Sequence, residues 1–184
     1  MQTKKMFLLI MIIPVSIILL IIAYLSLPWI LIELGLRLEP GPPRPKITYG
    51  EFPFRLVYEI NSERKVIEDT LICKYDGMGI NLGKGKHRKW KKGLESGKEK
   101  IILLKVNDNK EIYYNPGSAS YYMGDYDNPG KHRHNFPNAW YIEQDGDITR
   151  RGKVDEQELL NKYNIKLISW DYTEPIKNQF GSSK

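Results

Sequence analysis

From Met6 to Ile32 the chain carries no charged residue, and nearly every position is Ile, Leu, Met, Phe, Val, Pro, Ser, Ala, Tyr or Trp. As a helix rising ~1.5 Å per residue, these 27 residues would measure about 40 Å, more than the ~30 Å hydrocarbon core of a bilayer. Tilt or an interfacial last turn absorbs the excess. The pattern predicts a transmembrane anchor over residues 6–32, with its hydrocarbon part near Phe7–Leu27. Tyr24 and Trp29 then fall where aromatic rings favour the headgroup layer. Pro14 and Pro28 are compatible with this, because neighbouring groups in a membrane helix re-satisfy the freed carbonyls. A cleaved signal peptide has a shorter apolar run of ~7–15 residues and a small-residue cleavage site, and Ala23 is followed two positions later by Leu25. A buried core helix of this length would show a polar face, and none is present.

Beyond the anchor the periodicity changes. Trp29 to Leu38 can continue the helix, with Glu33 and Arg37 as an i,i+4 pair in the favourable order. Pro40, Pro42, Pro43 and Pro45 then favour extended polyproline II. Residues 33–46 read as a juxtamembrane segment and semi-rigid spacer. From about Ile47 to Phe180 the pattern is that of short strands. Phe54, Leu56, Tyr58 and Ile60 alternate with Arg55, Val57 and Glu59, the period of a half-buried strand. Asn61-Ser62 suits a two-residue hairpin turn, and Lys65–Tyr75 reads as the return strand. Asp69 interrupts its apolar side, which suggests a bulge at Glu68-Asp69. Asp76–Gly79 reads as a turn, and Ile80–Lys100 as a basic loop in which Trp90 and Leu94 are neighbours on a helical turn. Further strands are expected at Lys100–Val106, Glu111–Tyr114, Tyr121–Met123, Ala139–Glu143 and Ile165–Tyr172. Asp155 caps a helix whose buried stripe is Leu159, Leu160 and Tyr163, and Asn164 ends it. The fold class is therefore α+β: a transmembrane helix, then a small, mainly antiparallel β domain with one or two short helices. Residues 1–5 form a basic tail and 181–184 a frayed one. About 130 residues suffice to bury a core without metals or disulfides.

Charge adds one local feature to this outline. The chain has a formal net charge of +6. The run Lys84, Lys86, Arg88, Lys89, Trp90, Lys91, Lys92 concentrates positive charge with no acidic residue among it. Lysines neutralise phosphates, and an aromatic such as Trp90 can stack or sit at a headgroup layer. These seven residues are the candidate binding set for an anionic envelope polymer or lipid headgroups. The competing account is a solvated loop with Trp90 packed on the domain. Orientation is decided by a divided charge vote: Lys4 and Lys5 precede the span, while Arg37, Arg44 and Lys46 follow it. A short basic tail before a long apolar run has the form of a signal-anchor, which predicts a single-pass protein with an extracytoplasmic C-terminal domain. That placement disfavours nucleic acid as a partner.

Other chemistry is weaker. His132 and His134, with Asp125 and Asp127 nearby, could ligate a metal. Lys131 and Arg133 oppose it, and Pro129 breaks the calcium-loop pattern. The lone Cys73 cannot form an intramolecular disulfide. Paired with His87 it could be a nucleophile, but its strand-like surroundings suit a small buried hydrophobe better. The Gly77/Gly79 and Gly83/Gly85 pairs lack the following helix of a nucleotide fingerprint. Tyr113-Tyr114 and Tyr121-Tyr122 suit strands and core packing. No cofactor and no metal site is expected, and no catalytic residue stands out.

The runs Tyr49–Ile60, Ile67–Gly77, Ile165–Trp170 and Pro175–Asn178 together resemble a group of uncharacterised membrane-anchored proteins of Gram-positive, Firmicutes-type bacteria. The resemblance spans the chain from anchor to tail and implies a cell-envelope setting, with no activity to carry over. The reading is a non-catalytic binding or structural component of the envelope, with the lipid bilayer as partner through the anchor and no protein partner indicated. Two alternatives are an envelope-associated hydrolase or transferase, and a cytoplasmic-facing domain using the basic loop on anionic lipid or RNA.

Overall fold

The computed structural model describes residues 2–81, 83, 85–125 and 136–180, with side chains from residue 14 onward. These residues fall into two compact units, Met1–Pro42 with Met78–Arg88, and Pro43–Gly77 with Lys89–Lys184.

In the first unit a single helix, α1 (Gln2–Leu38), runs through both Pro14 and Pro28. Its Pro14–Leu38 stretch is long and apolar enough to cross a membrane, and none of it is buried. The juxtamembrane residues are thus the last turns of the same helix. Arg37 and Glu33 pair there at 2.7 Å, the i,i+4 contact expected from the sequence.

The strands form two four-stranded sheets, of which residues 78–81 and 85–88 belong to the first unit and the rest to the second. The first sheet has the order β3 (Gly85–Leu94), β2 (Glu63–Asn81), β1 (Tyr49–Ile60), β8 (Ile165–Tyr172). The second sheet has the order β4 (Ile101–Asn107), β5 (Lys110–Tyr114), β6 (Ala139–Asp145), β7 (Ile148–Val154). Two short helices, α2 (Ala119–Tyr122) and α3 (Glu156–Tyr163), complete the second unit, and α3 packs on β8. Alternation puts Phe52, Phe54, Leu56 and Tyr58 of β1 on the core side, as a period of two requires. They join Leu71 and Cys73 of β2, Ile101 and Leu103 of β4, Ile112 and Tyr114 of β5, and Ile165, Leu167 and Trp170 of β8 in one cluster drawn from both sheets. Val57, expected on the solvent side, is buried too. β1 is an inner strand, and its pairing with β8 shifts register between Val57 and Tyr58.

The helix signal at Asp155 holds at both ends, but of its expected buried stripe Leu159 and Tyr163 are buried while Leu160 is 49% exposed. The Asp155 carboxylate accepts from Glu158 N at 2.7 Å, and Asn164 closes α3 in the left-handed region at φ 52°. Four further local expectations are corrected. The β1–β2 register is unbroken from Tyr49 opposite Lys74 to Ile60 opposite Glu63, so no bulge lies at Glu68-Asp69. Asp69 is accommodated because its carboxylate accepts from Thr70 N at 2.8 Å and from the Ser96 backbone and hydroxyl. Tyr121–Met123 is not a strand. Ser118 caps a helical turn by accepting from Tyr121 N at 3.2 Å, and Tyr122 and Met123 are buried. Asp76–Gly79 is not a turn and the segment up to Leu94 is not a loop: β2 continues to Asn81 and β3 returns beside it, leaving residues 95–100 as the connection to β4. Gly77 sits within β2 at φ +80°, where an L-residue would be strained.

The spacer also ends earlier than its prolines suggest. Pro45 is buried and bridges to Phe180, Lys46 N donates to Gln179 O at 2.9 Å, and Asn178 exchanges two hydrogen bonds with the Ile47 backbone. The C-terminal tail thus clamps the point where the chain enters the β domain.

Candidate functional site

A run of lysines read as a loop would present all its charges together. Folded as the edge strand β3, the same run divides by alternation. Trp90 and Leu94 share one side and pack against the core. Trp90 also meets the Tyr75 ring edge-on at 5.4 Å, and its indole N–H donates to Asp125 at 2.6 Å. Lys92, also on this side, reaches the connection between β5 and α2. Its ammonium donates to Asn115 Oδ1 at 3.1 Å and Gly117 O at 2.8 Å. Although Lys92 as a residue is exposed, its ammonium is partly shielded, and desolvation lowers its pKa below the ordinary lysine value.

Lys89 and Lys91 occupy the opposite side. Their ammonium groups lie 3.5 and 2.9 Å from the carboxylate of Asp76 on β2. The Lys91 hydrogen bond is the largest of the causes that hold Asp76 below the usual aspartate range. Two cations therefore share one anion, leaving a net positive charge on an exposed sheet edge. In the first unit, Lys86 is spent differently, donating to Arg37 O at 2.7 Å and to Glu39 O. Arg88 lies at the boundary of that unit, and Lys84 lies outside the described residues. Five of the seven candidate residues thus separate into a core-packed ring, a brace between sheets, an outward pair and a helix-end contact.

The remaining candidates are placed as follows. Cys73 is fully buried on β2, and burial pushes its thiol up to about 12. At neutral pH it is a protonated hydrophobe, not a thiolate nucleophile. His87 Nδ1 lies 3.3 Å from Gly85 O, within its own strand. His132, His134 and Asp127 fall outside the described residues. No group of three or more metal-ligating side chains occurs among the described residues.

A cavity of about 280 Å³ opens between the sheets, floored by Leu71, Ile101 and Tyr114 and rimmed by Lys92 and Arg151. A second cavity of about 440 Å³ shares Leu94, Glu99, Lys100 and Ile101 with it, so the two form a groove. The Lys100 ammonium on its wall is paired with Glu111 at 3.3 Å. No local signal marks such a groove, because its lining is gathered from six strands, from Leu71 of β2 to Arg151 of β7. Its lining carries both signs, Lys92 and Arg151 with Glu99 in the first cavity and Lys100 with Glu68, Asp69 and Glu111 in the second, so charge selects no ligand class there. No family model, no curated protein and no solved structure matches this chain.

Proposed function

We propose that this chain is a single-pass membrane protein of a Gram-positive cell envelope. Its β domain faces outward and binds an anionic envelope polymer without performing chemistry on it. The observation that supports this best is the outward pair on β3, where Lys89 and Lys91 share the single carboxylate of Asp76 on the edge of a sheet. Lysines on an edge strand discourage another strand from adding to it. A phosphate polymer needs no backbone pairing and is drawn to the same charges.

The test uses the full chain in nanodiscs of neutral lipid, with long-chain inorganic polyphosphate as the probe. Replacing Lys89 and Lys91 together by Gln should weaken binding about tenfold at low salt. The salt dependence should become shallower, as expected when about two phosphate contacts are lost. Lys92 is left in place because its ammonium braces the domain. Equal affinity in the double variant and the parent would end the polymer reading.

Orientation is tested separately. Ser183→Cys, in a Cys73→Ala background, should react with a membrane-impermeant maleimide on intact cells. Reaction only after lysis would turn the domain to the cytoplasm.

A further inference from the structure

The end of α1 is not left to solvent. Lys86, from the start of β3, places its ammonium on Arg37 O at 2.7 Å and on Glu39 O, while Glu39 N donates to Gly35 O at 3.0 Å. A cation there meets the negative end of the helix macrodipole. The approach around it is close. A Cβ on Gly41 would stand 2.8 Å from Met78 Cε, and one on Gly85 would stand 4.0 Å from Leu36 Cδ2. The tip of the β2–β3 hairpin is thereby held level with the last turn of the helix.

Two large apolar side chains are exposed at that tip. Met78 and Ile80 are 40% and 52% exposed and lie on the same side of β2, while Leu38 at the helix end is 76% exposed. Met78 and Ile80 thus form an exposed apolar pair on the hairpin whose Lys86 is fixed to the helix end. The Pro14–Leu38 stretch, long and apolar enough to cross a membrane, measures about 37 Å at ~1.5 Å per residue and, set as the span, covers the ~30 Å hydrocarbon core and reaches headgroup depth at its last turn. The tip that Lys86 ties to Arg37 and Glu39 lies at the same depth. At that depth an apolar side chain meets the upper acyl region, and an ammonium meets lipid phosphate.

We propose that the tip of the β2–β3 hairpin is a second membrane contact. Met78 and Ile80 enter the headgroup–acyl boundary, and Lys86 draws lipid phosphate to the exit of α1. This rests on the reading that α1 spans the bilayer, and it is independent of the polymer contact assigned to Lys89 and Lys91. The occupant is the bilayer surface itself, argued from the continuity of the tip with the apolar helix. The consequence is a hairpin that leaves the membrane surface at a fixed point instead of swinging on a spacer.

The test labels full-length chain, in a Cys73→Ala background, with an environment-sensitive fluorophore on Ile80→Cys. The chain is held in nanodiscs of phosphatidylcholine with a minority of phosphatidylglycerol. Nitroxides at the headgroup and upper acyl chain should quench this label strongly. A second label, on Leu20→Cys, should be quenched by a deep acyl nitroxide. An unquenched Ile80 label beside a quenched Leu20 label would overturn the contact and leave the anchor standing. An unquenched Leu20 label would remove both.

To exclude an effect of the dye, Met78 and Ile80 are replaced together by Ser in unlabelled chain. Amide exchange over residues 78–81 in nanodiscs should then accelerate several-fold, with exchange at Ile112 unchanged. Unchanged exchange over 78–81 would count against the proposal.

Discussion

Asp69 and Asp76 sit seven positions apart on β2 and show how one residue type is satisfied in two ways. Asp69 points to the side of the strand occupied by Ile67, Leu71 and Cys73, and the Ser96 turn supplies its donors. Asp76 instead collects two lysines at an exposed edge. Its native pKa is depressed, so its pairing stabilises the fold above the ordinary aspartate value of ~3.9. That contribution is lost as the pH falls through the lowered native value. Carboxyl NMR of the parent should show Asp76 titrating below a typical exposed aspartate. Lys91→Met should raise that midpoint more than Lys89→Met, because Lys91 is nearer and makes the dominant hydrogen bond. Equal shifts in the two variants would mean that general charge, rather than the hydrogen bond, depresses it.

At the scale of elements, the sequence was most legible where a local rule sufficed. Asn61 and Ser62 both adopt positive φ, at 51° and 66°, as the turn that matches strand twist requires. The turn is tied to the end of α3 as well: Asn61 N donates to Asn164 O at 3.1 Å, and Asn164 Nδ2 donates to Asn61 Oδ1 at 2.9 Å. Asn61 is therefore needed in place, whereas Ser62 carries the left-handed penalty without a comparable tie. Ser62→Gly should stabilise the domain by about 1 kcal/mol, seen in chemical denaturation as a higher midpoint with an unchanged slope. A lower midpoint would mean that unfolded-state entropy outweighs the relieved strain. Legibility failed where tertiary context decided. The charge density of Lys84–Lys92 reads as loop because strands are poor in lysine, yet one side of this edge strand is solvated and the other is anchored by Trp90 and Leu94. Those two residues do share a side, through strand alternation and not through a helical turn. Tyr121-Tyr122-Met123 carries strand propensity, but the Ser118 cap and the tail prevail: Ile176 N donates to Tyr122 O at 2.9 Å, and Asn178 Nδ2 to Met123 O at 3.1 Å. Gly124, at φ +64°, lies so close to Ile176 O that no side chain fits there. The tail residues Ile176 and Asn178 are remote in sequence from the residues they bind, and the groove between the sheets was hidden for the same reason.

At the scale of the whole molecule, the two units differ in what holds them. Every residue of the core cluster, from Phe52 to Trp170, belongs to the unit of Pro43–Gly77 and Lys89–Lys184, and none comes from α1 or from Met78–Arg88. The β domain should therefore fold without its anchor. A fragment of residues 43–184 should unfold in one cooperative transition and keep its near-ultraviolet aromatic signal, with fast amide exchange confined to the hairpin around residues 78–88. The boundary read from the prolines, near residue 47, makes a sharper comparison. A fragment beginning there loses the Pro45 bridge to Phe180 and the Lys46 contacts to Gln179, at 2.9 Å from its backbone N and 2.8 Å from its ammonium. Each lost hydrogen bond costs about 0.5–1.5 kcal/mol, so the shorter fragment should melt roughly 3–6 °C lower at this domain size. Equal melting temperatures would show that the Asn178 bonds to Ile47 hold the tail unaided, and would return the last two spacer residues to the spacer. Failure of both fragments to fold would show instead that the core depends on the hairpin tip or the helix, although neither contributes a side chain to it.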